Sequence, residues 1–151
     1  MLPFFRKKRH LTPEEDQRII AAIRKAEERT SGEVRVFVES KNPMVDPVDR
    51  ATEIFHLLKM HETHHRNGVL IYVAVKHREL AIYGDEGIHQ MVGSDFWHRE
   101  VQTMLGHFKK NEMVDGVIHC IRDIGEVLAE KFPFIPGEDK NELPDDIIFG
   151  H

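Results

Sequence analysis

Apolar residues recur at helical spacing in four stretches of the chain. The first stretch begins with a capping box, in which Thr12 caps the helix and Glu15 reaches back to it. Further helices are predicted to begin after Asp46 and Ser94, and the last to run from about Asp115 to Phe132. The positions expected to face the core are Ile19, Ile20, Ile23, Ala26, Ala51, Ile54, Phe55, Leu58, Met60, Trp97, Val101, Met104, Leu105, Phe108, Val117, Ile118, Ile121, Ile124 and Leu128.

Three other segments have the composition of β-strands. In residues 33–39 every second residue is a valine, which places the valines on one face of a strand. Residues 69–75 are almost continuously apolar, as in a strand that is covered on both faces. Residues 79–83 are predicted to form a third strand that runs back along the second after a polar turn at residues 76–78. The element order predicts an α/β fold, a single three-layer α/β/α domain with a small mixed sheet flanked by helices. The first two strands should be parallel, joined by a right-handed crossover, and the last two should form a hairpin.

The periodic pattern occupies residues 11–133, which we interpret as one domain. Residues 1–10 are predicted to be a flexible basic N-terminus. Residues 134–151 are predicted to be an acidic, mobile C-terminal tail, because residues 137–151 carry five acids and one lysine. Neither end adds periodic apolar residues, so both are expected to lie outside the core.

Charge and composition exclude several classes of protein. The chain carries 21 basic and 26 acidic residues, a formal charge of −5, which argues against a nucleic-acid partner. No apolar run approaches the roughly 20 residues of a transmembrane segment, and the N-terminal charges follow a very short apolar stretch, unlike a signal peptide. The lone Cys120 is expected to be a buried small hydrophobe. These features predict a reducing, cytoplasmic location, with both monomer and homodimer open.

Histidine is unusually frequent, with eleven residues, and the most informative stretch spans residues 56–68. Neutral imidazoles three or four positions apart on a helix can share a zinc ion. The spacing differs from the His-Glu-x-x-His pattern of zinc proteases, since the second histidine arrives one residue early. Two interpretations stay open: a zinc site, or a solvated helix end at which His61, His64 and His65 favour the negative dipole terminus.

A second candidate metal site follows from the predicted strand directions. The starts of the first two strands and the end of the third should meet at one edge of the sheet. The residues expected there are Glu33, Asn67, Asp85 and Glu86, with His64 or His65 beside them. Oxygen ligands would favour Ca²⁺ or Mg²⁺, whereas dominance of the histidines would favour zinc. The alternative is that residues 84–87 form only a turn and that Glu33 is a surface residue.

The opposite edge of the sheet carries a basic group, Lys41, His77 and Arg78. Ligands of open α/β sheets bind outside the carboxyl ends of parallel strands, so an anion could bind there. A loop and a hairpin turn account for the same residues without a ligand.

Three short segments resemble the TPM domain family, named for a thylakoid lumen protein and its bacterial and animal relatives. Residues 30–34 (Thr-Ser-Gly-Glu-Val) resemble the family's Thr-Gly-x-Glu-Ile entry to the first strand. Residues 66–71 (Arg-Asn-Gly-Val-Leu-Ile) resemble its Asn-Asn-Gly-Val-Leu-Leu entry to the second. Residues 83–87 (Tyr-Gly-Asp-Glu-Gly) resemble its Gly-Tyr-Gly-Leu-Glu-Gly turn. The resemblance extends over about residues 11–133, nearly everything but the two ends.

The resemblance implies a compact α/β/α domain. The plant relative is described as an acid phosphatase of photosystem II repair, some members bind calcium or magnesium, and others modulate receptors or assist assembly. Typical members have paired aspartates after the second strand, where residues 76–78 of this chain are Lys-His-Arg. The chain therefore resembles a soluble, histidine-rich branch of the family.

Two functional hypotheses follow from these observations. The first is an interaction, assembly or stress-related domain that binds a divalent cation without strong catalytic activity, with its ends contacting a protein partner. The second is a metal-assisted acid phosphatase acting on phosphomonoesters, in which the ion activates water and a histidine serves as general acid. Residues 4–9, two aromatics followed by four cations, are also predicted to contact anionic membranes weakly.

Overall fold

The computed structural model describes residues 10–136 and 147–151. Its elements are α1 (Pro13–Glu27), β1 (Glu33–Glu39), α2 (Pro47–Leu57), β2 (Gly68–Ala74), β3 (Glu79–Gly84), α3 (Glu86–Lys109), α4 (Met113–Lys131) and β4 (Ile148–Phe149). The predicted order of the first seven elements is confirmed. The basic segment of residues 1–9 and the acidic residues 137–146 lie outside the described part.

The four strands form one mixed sheet in the order β3-β2-β1-β4. β1 and β2 are parallel, with Glu33 opposite Gly68, and β2 and β3 are antiparallel, with Val69 opposite Gly84. The predicted parallel crossover and hairpin are therefore confirmed. The register also places the starts of β1 and β2 and the end of β3 at the same edge.

Helices cover both faces of the sheet, which confirms the three-layer α/β/α prediction. Val36 and Ile71 lie on the face that packs with apolar residues of α1, α3 and α4. Phe37 and Tyr72, the next residues along the same strands, lie on the other face with the apolar residues of α2. Cys120 on α4 is fully buried, as predicted.

Local capping chemistry begins the first two helices where the sequence predicts it. The Glu15 backbone N–H donates to Thr12 Oγ1 at 3.1 Å, and the Thr12 N–H donates to Glu15 Oε1 at 2.9 Å. At α2, the Val48 N–H donates to Asp46 Oδ1 at 2.8 Å. Both predicted caps are thus confirmed.

α3 begins earlier than predicted. Its cap is Asp85 rather than Ser94, and the helix is interrupted at Gly93, whose φ of 76° and ψ of 171° are not helical. Glycine tolerates this conformation because it has no Cβ. The part after Gly93 corresponds to the predicted helix, while the turn-like composition of residues 84–87 concealed the earlier start.

The C-terminal end departs from the predicted tail. Ile147, Ile148 and Phe149 are buried, and Ile148 and Phe149 pair in parallel with Phe37 and Val38 of β1. The expectation that nothing after residue 133 joins the core is therefore wrong at residues 147–150. Two paired residues are too few to show a periodicity, and their burial depends on an edge of β1 that is distant in sequence.

No helix within residues 10–136 or 147–151 is long and apolar enough to cross a membrane.

Candidate functional site

The backbone brings together the three chain segments predicted to meet at the amino end of the parallel strands. The Glu33 N–H donates to the Asn67 carbonyl at 3.5 Å, and the Asp85 N–H donates to the Gly68 carbonyl at 2.9 Å. The Gly87 N–H donates to the Arg66 carbonyl at 2.8 Å. The entry to β2 therefore lies between the start of β1 and the start of α3.

The Asp85 carboxylate is held by Arg66, which lies at the predicted start of β2 but is not one of the predicted metal ligands. Arg66 Nε lies 2.7 Å from Asp85 Oδ2, and Arg66 Nη2 lies 2.9 Å from Oδ1. The carboxylate also accepts the Glu86 N–H at 2.8 Å, and its side chain is only 2% exposed. The hydrogen bond to Asp85 raises the pKa of Arg66, so the guanidinium stays charged.

Arg66 also reaches the second carboxylate of the edge. Its Nη1 lies 3.1 Å from Glu86 Oε1, and the Glu86 side chain is largely exposed. The guanidinium therefore already reduces the repulsion between the Asp85 and Glu86 carboxylates, which a bound cation would otherwise reduce. In the sequence this role is indicated by a basic residue at the entry to β2, next to Asn67.

Asn67, like Asp85, is almost completely buried, at 1% exposure. Its Nδ2 donates to Ser31 Oγ at 3.2 Å, whereas its Oδ1 has no hydrogen-bond partner within residues 10–136 and 147–151. The Glu33 side chain, on the adjacent strand, is also buried. Thr63 Oγ1 in the preceding loop is a further buried oxygen with no partner among the described residues. The edge thus contains oxygen atoms of the kind that hard cations prefer.

The histidines occupy the loop between α2 and β2 rather than a helix. α2 ends at Leu57, so the helical spacing behind the zinc interpretation does not apply to His61, His64 and His65, nor does the dipole argument place them at a helix terminus. His64 and His65 are exposed, with ring centroids 4.6 Å apart. Among the described residues, no three His, Cys, Asp or Glu side chains are grouped closely enough to hold a metal ion.

The basic residues predicted at the opposite edge have structural contacts. His77 Nδ1 accepts the Asn42 N–H at 3.0 Å, and Arg78 donates to the Phe108 carbonyl. These bonds tie the β2–β3 turn to the loop after β1 and to the end of α3. The turn interpretation therefore accounts for His77 and Arg78.

A buried ionic cluster near this second edge was not predicted. Glu39, with 4% of its side chain exposed, accepts two hydrogen bonds of 2.9 Å from Nε and Nη2 of Arg50. The Tyr72 hydroxyl donates to the same carboxylate, and burial raises the pKa of Tyr72. Because β1, β2 and α2 supply one member each, the cluster joins the sheet to the helix.

A second polar cluster lies between α3 and α4. Burial, reinforced by a hydrogen bond to Asp123, raises the pKa of Glu100 to about 8. Cys120 lies in the same cluster, and burial raises the pKa of its thiol. His119 Nε2 lies 3.2 Å from Asp123 Oδ2 on the outer side. Glu100 is therefore protonated at neutral pH.

The protonated Glu100 predicts a specific pH dependence. Between about pH 4.5 and pH 8 the unfolded chain releases this proton while the folded chain keeps it. The free energy of unfolding should therefore fall with rising pH relative to that of Glu100→Gln, by up to about 1.4 kcal/mol per pH unit. Urea unfolding across this window measures the difference. Glu126→Gln, an exposed change on α4, should run parallel to wild type, and a flat difference for Glu100→Gln would contradict the assignment.

Comparison with known families identifies the domain. The sequence profile of the TPM domain matches residues 5–127. The chain belongs to the TPM domain family. The predicted resemblance is thereby confirmed over most of its extent, and the match covers the whole edge containing Glu33, Asn67 and Asp85.

Two solved structures resemble this TPM domain. The NMR structure of BA42 protein from the psychrophilic bacterium Bizionia argentinensis is 42% identical, with a TM-score of 0.85, and the alignment covers 96% of this chain and 99% of that chain. The N-terminal domain of cg2496 protein from Corynebacterium glutamicum is 13% identical, with a TM-score of 0.63 over 79% and 74% of the two chains. The second shares the fold alone. No curated protein sequence gives a significant match.

Proposed function

We propose that this TPM domain is a binding domain without strong catalytic activity, which takes a divalent cation at the amino end of the sheet. The ligands proposed are Glu33, Asn67, Asp85 and Glu86, with His64 or His65 from the adjoining loop. Their side chains would have to move together around the ion, because no three His, Cys, Asp or Glu side chains of the described chain are grouped without it. The observation that supports the proposal is Asn67 Oδ1, a buried amide oxygen with no hydrogen-bond partner in the described chain. A domain of this kind would act through a protein partner, in assembly or in a stress response in the cytoplasm.

The buried Asn67 Oδ1 destabilises the fold as long as it has no partner. Roughly 90% or more of buried polar groups have a hydrogen-bond partner, and leaving one unpaired costs about 1–3 kcal/mol. A cation at Asn67 would remove this cost. Since Arg66 occupies both oxygens of Asp85, Glu86 is the more accessible of the two outer carboxylates. An oxygen set of this type favours Ca²⁺ or Mg²⁺ over zinc.

Two substitutions of Asn67 test the site by changes in melting temperature with added Ca²⁺, Mg²⁺ or Zn²⁺. Asn67→Asp adds a charge in place, so it should lower the melting temperature without ions and increase the rise that Ca²⁺ produces. Asn67→Leu removes the oxygen and should abolish that rise. Wild type should gain about 2.7 kcal/mol of stability when the ion is at a hundredfold its dissociation constant. Glu62→Gln, an exposed change in the same loop, should respond like wild type.

Other outcomes of this experiment would contradict the proposal in distinct ways. If none of the ions stabilises wild type, the domain does not bind a divalent cation. If zinc alone raises the melting temperature, and the double variant His64→Ala with His65→Ala loses this rise, the ligands are the histidines rather than the oxygen atoms. If the protein hydrolyses a phosphomonoester in a metal-dependent way, and Asn67→Leu loses this activity, the domain is an acid phosphatase rather than a binding domain.

A further inference from the structure

The free edge of the sheet lies at β3. β3 pairs with β2 on one side only, and no backbone hydrogen bond from another described segment reaches its outer edge. In an antiparallel ladder alternate residues direct their N–H and C=O groups away from the paired strand, so this edge offers backbone donors and acceptors. β3 contains no proline and no lysine, the residues that most often block such an edge.

An apolar groove of about 510 Å³ follows this edge. Residues 80–84 of β3 line it, with Val48 of α2 on one side and Trp97 and Val101 of α3 on the other. Val48 is 49% exposed although it is apolar. Trp97 is fixed in place, because its Nε1 donates to His89 Nδ1 at 3.0 Å. The groove is therefore a preformed surface beside unpaired strand backbone.

The charges that flank β3 are self-complementary. Lys76, His77 and Arg78 precede the strand, and Asp85 and Glu86 follow it. When two copies of an antiparallel edge pair about a two-fold axis, residues directly opposite must point to the same face of the sheet. In the register centred on Ala81 this condition is met. Lys76 of each copy is then opposite Glu86 of the other, and both of these side chains are exposed.

We propose that β3 pairs with β3 of a second copy of this chain to form a symmetric dimer with a continuous eight-stranded sheet. The two grooves meet at the axis, so that Val48 and the α3 wall of one copy contact those of the other. The ligand for this surface is thus the same strand in a second copy, recognised by backbone hydrogen bonds and by the flanking charges.

Sedimentation equilibrium from micromolar to millimolar protein, in the presence of a metal chelator, tests the dimer by a charge-reversal cycle. Lys76→Glu and Glu86→Lys should each weaken association by about tenfold, because two-fold symmetry makes each like-charge contact occur twice. The double variant restores opposite charges and should return towards the wild-type dissociation constant. If the double variant associates as weakly as the single variants, the proposed register is wrong.

A second pair of variants tests the dimer without changing Glu86, which is the first residue of α3. Val48→Glu places a charge in the groove at an exposed position and should abolish the dimer while leaving the melting curve cooperative. Leu57→Glu, another exposed apolar position at the far end of α2, should leave association unchanged. Amides of residues 79–84 should exchange more slowly at high protein concentration. A wild-type chain that stays monomeric, or a dimer unaffected by Val48→Glu, would overturn the proposal.

Discussion

Replacing Arg50 with methionine is expected to lower the free energy of unfolding by about 3–5 kcal/mol. Arg50 supplies both hydrogen bonds that balance the charge of Glu39, whose side chain is 4% exposed. Without Arg50 the buried carboxylate would keep, among the residues that the structure describes, only the Tyr72 hydroxyl as a partner. Removing one member of a buried ion pair costs more than the pair itself contributes, because the remaining charge cannot regain its hydration.

Two further variants separate this effect from a general loss of surface charge. Glu53→Gln removes the exposed partner of Arg50 and should cost less than about 1 kcal/mol. Combining Glu39→Gln with Arg50→Met removes both charges and should recover a large part of the loss. Urea unfolding monitored by circular dichroism measures all three. A loss below about 1 kcal/mol for Arg50→Met would show that the cluster does not join α2 to the sheet.

Phe149→Ala is expected to destabilise the domain by about 3–5 kcal/mol, as is usual for loss of a buried aromatic ring. Phe149 lies opposite Val38 on β1 and is 5% exposed, although it is only two residues before the C-terminal residue described. The adjacent Gly150 N–H donates to the Val38 carbonyl at 2.8 Å, which fixes the strand against β1.

Phe134→Ala is the matched control, since this phenylalanine is 44% exposed. It should change the free energy of unfolding by about 0.5 kcal/mol or less. Equal effects of the two substitutions would contradict the assignment of residues 148–149 to the sheet. The comparison also decides whether the C-terminal end is part of the folding unit.

The accuracy of the fold prediction follows from how local its determinants are. The caps at Thr12 and Asp46 act within one helical turn, and the alternation of β1 is a property of seven consecutive residues. The crossover and hairpin follow from element order and connection length. β4 could not be found in this way, because its two residues are specified by the edge of β1 more than a hundred positions earlier.

The candidate site was predictable only at the level of the backbone. Strand direction placed Glu33, Asn67 and Asp85 at one edge, where the structure has them. The direction of the Arg66 side chain was not readable from the sequence, since it depends on a positive φ of 51° at that residue. Helical spacing was the wrong geometry for the histidines, because α2 ends at Leu57, before three of them.

Titration of isotopically labelled protein with CaCl₂, followed by amide nuclear magnetic resonance, tests the cation site most directly. The account predicts saturable shifts centred on the amides of residues 33, 67 and 85–87, which lie within one hydrogen-bonded edge, and the loss of those shifts in Asn67→Leu. An unchanged wild-type spectrum, or shifts confined to the loop histidines, would contradict it.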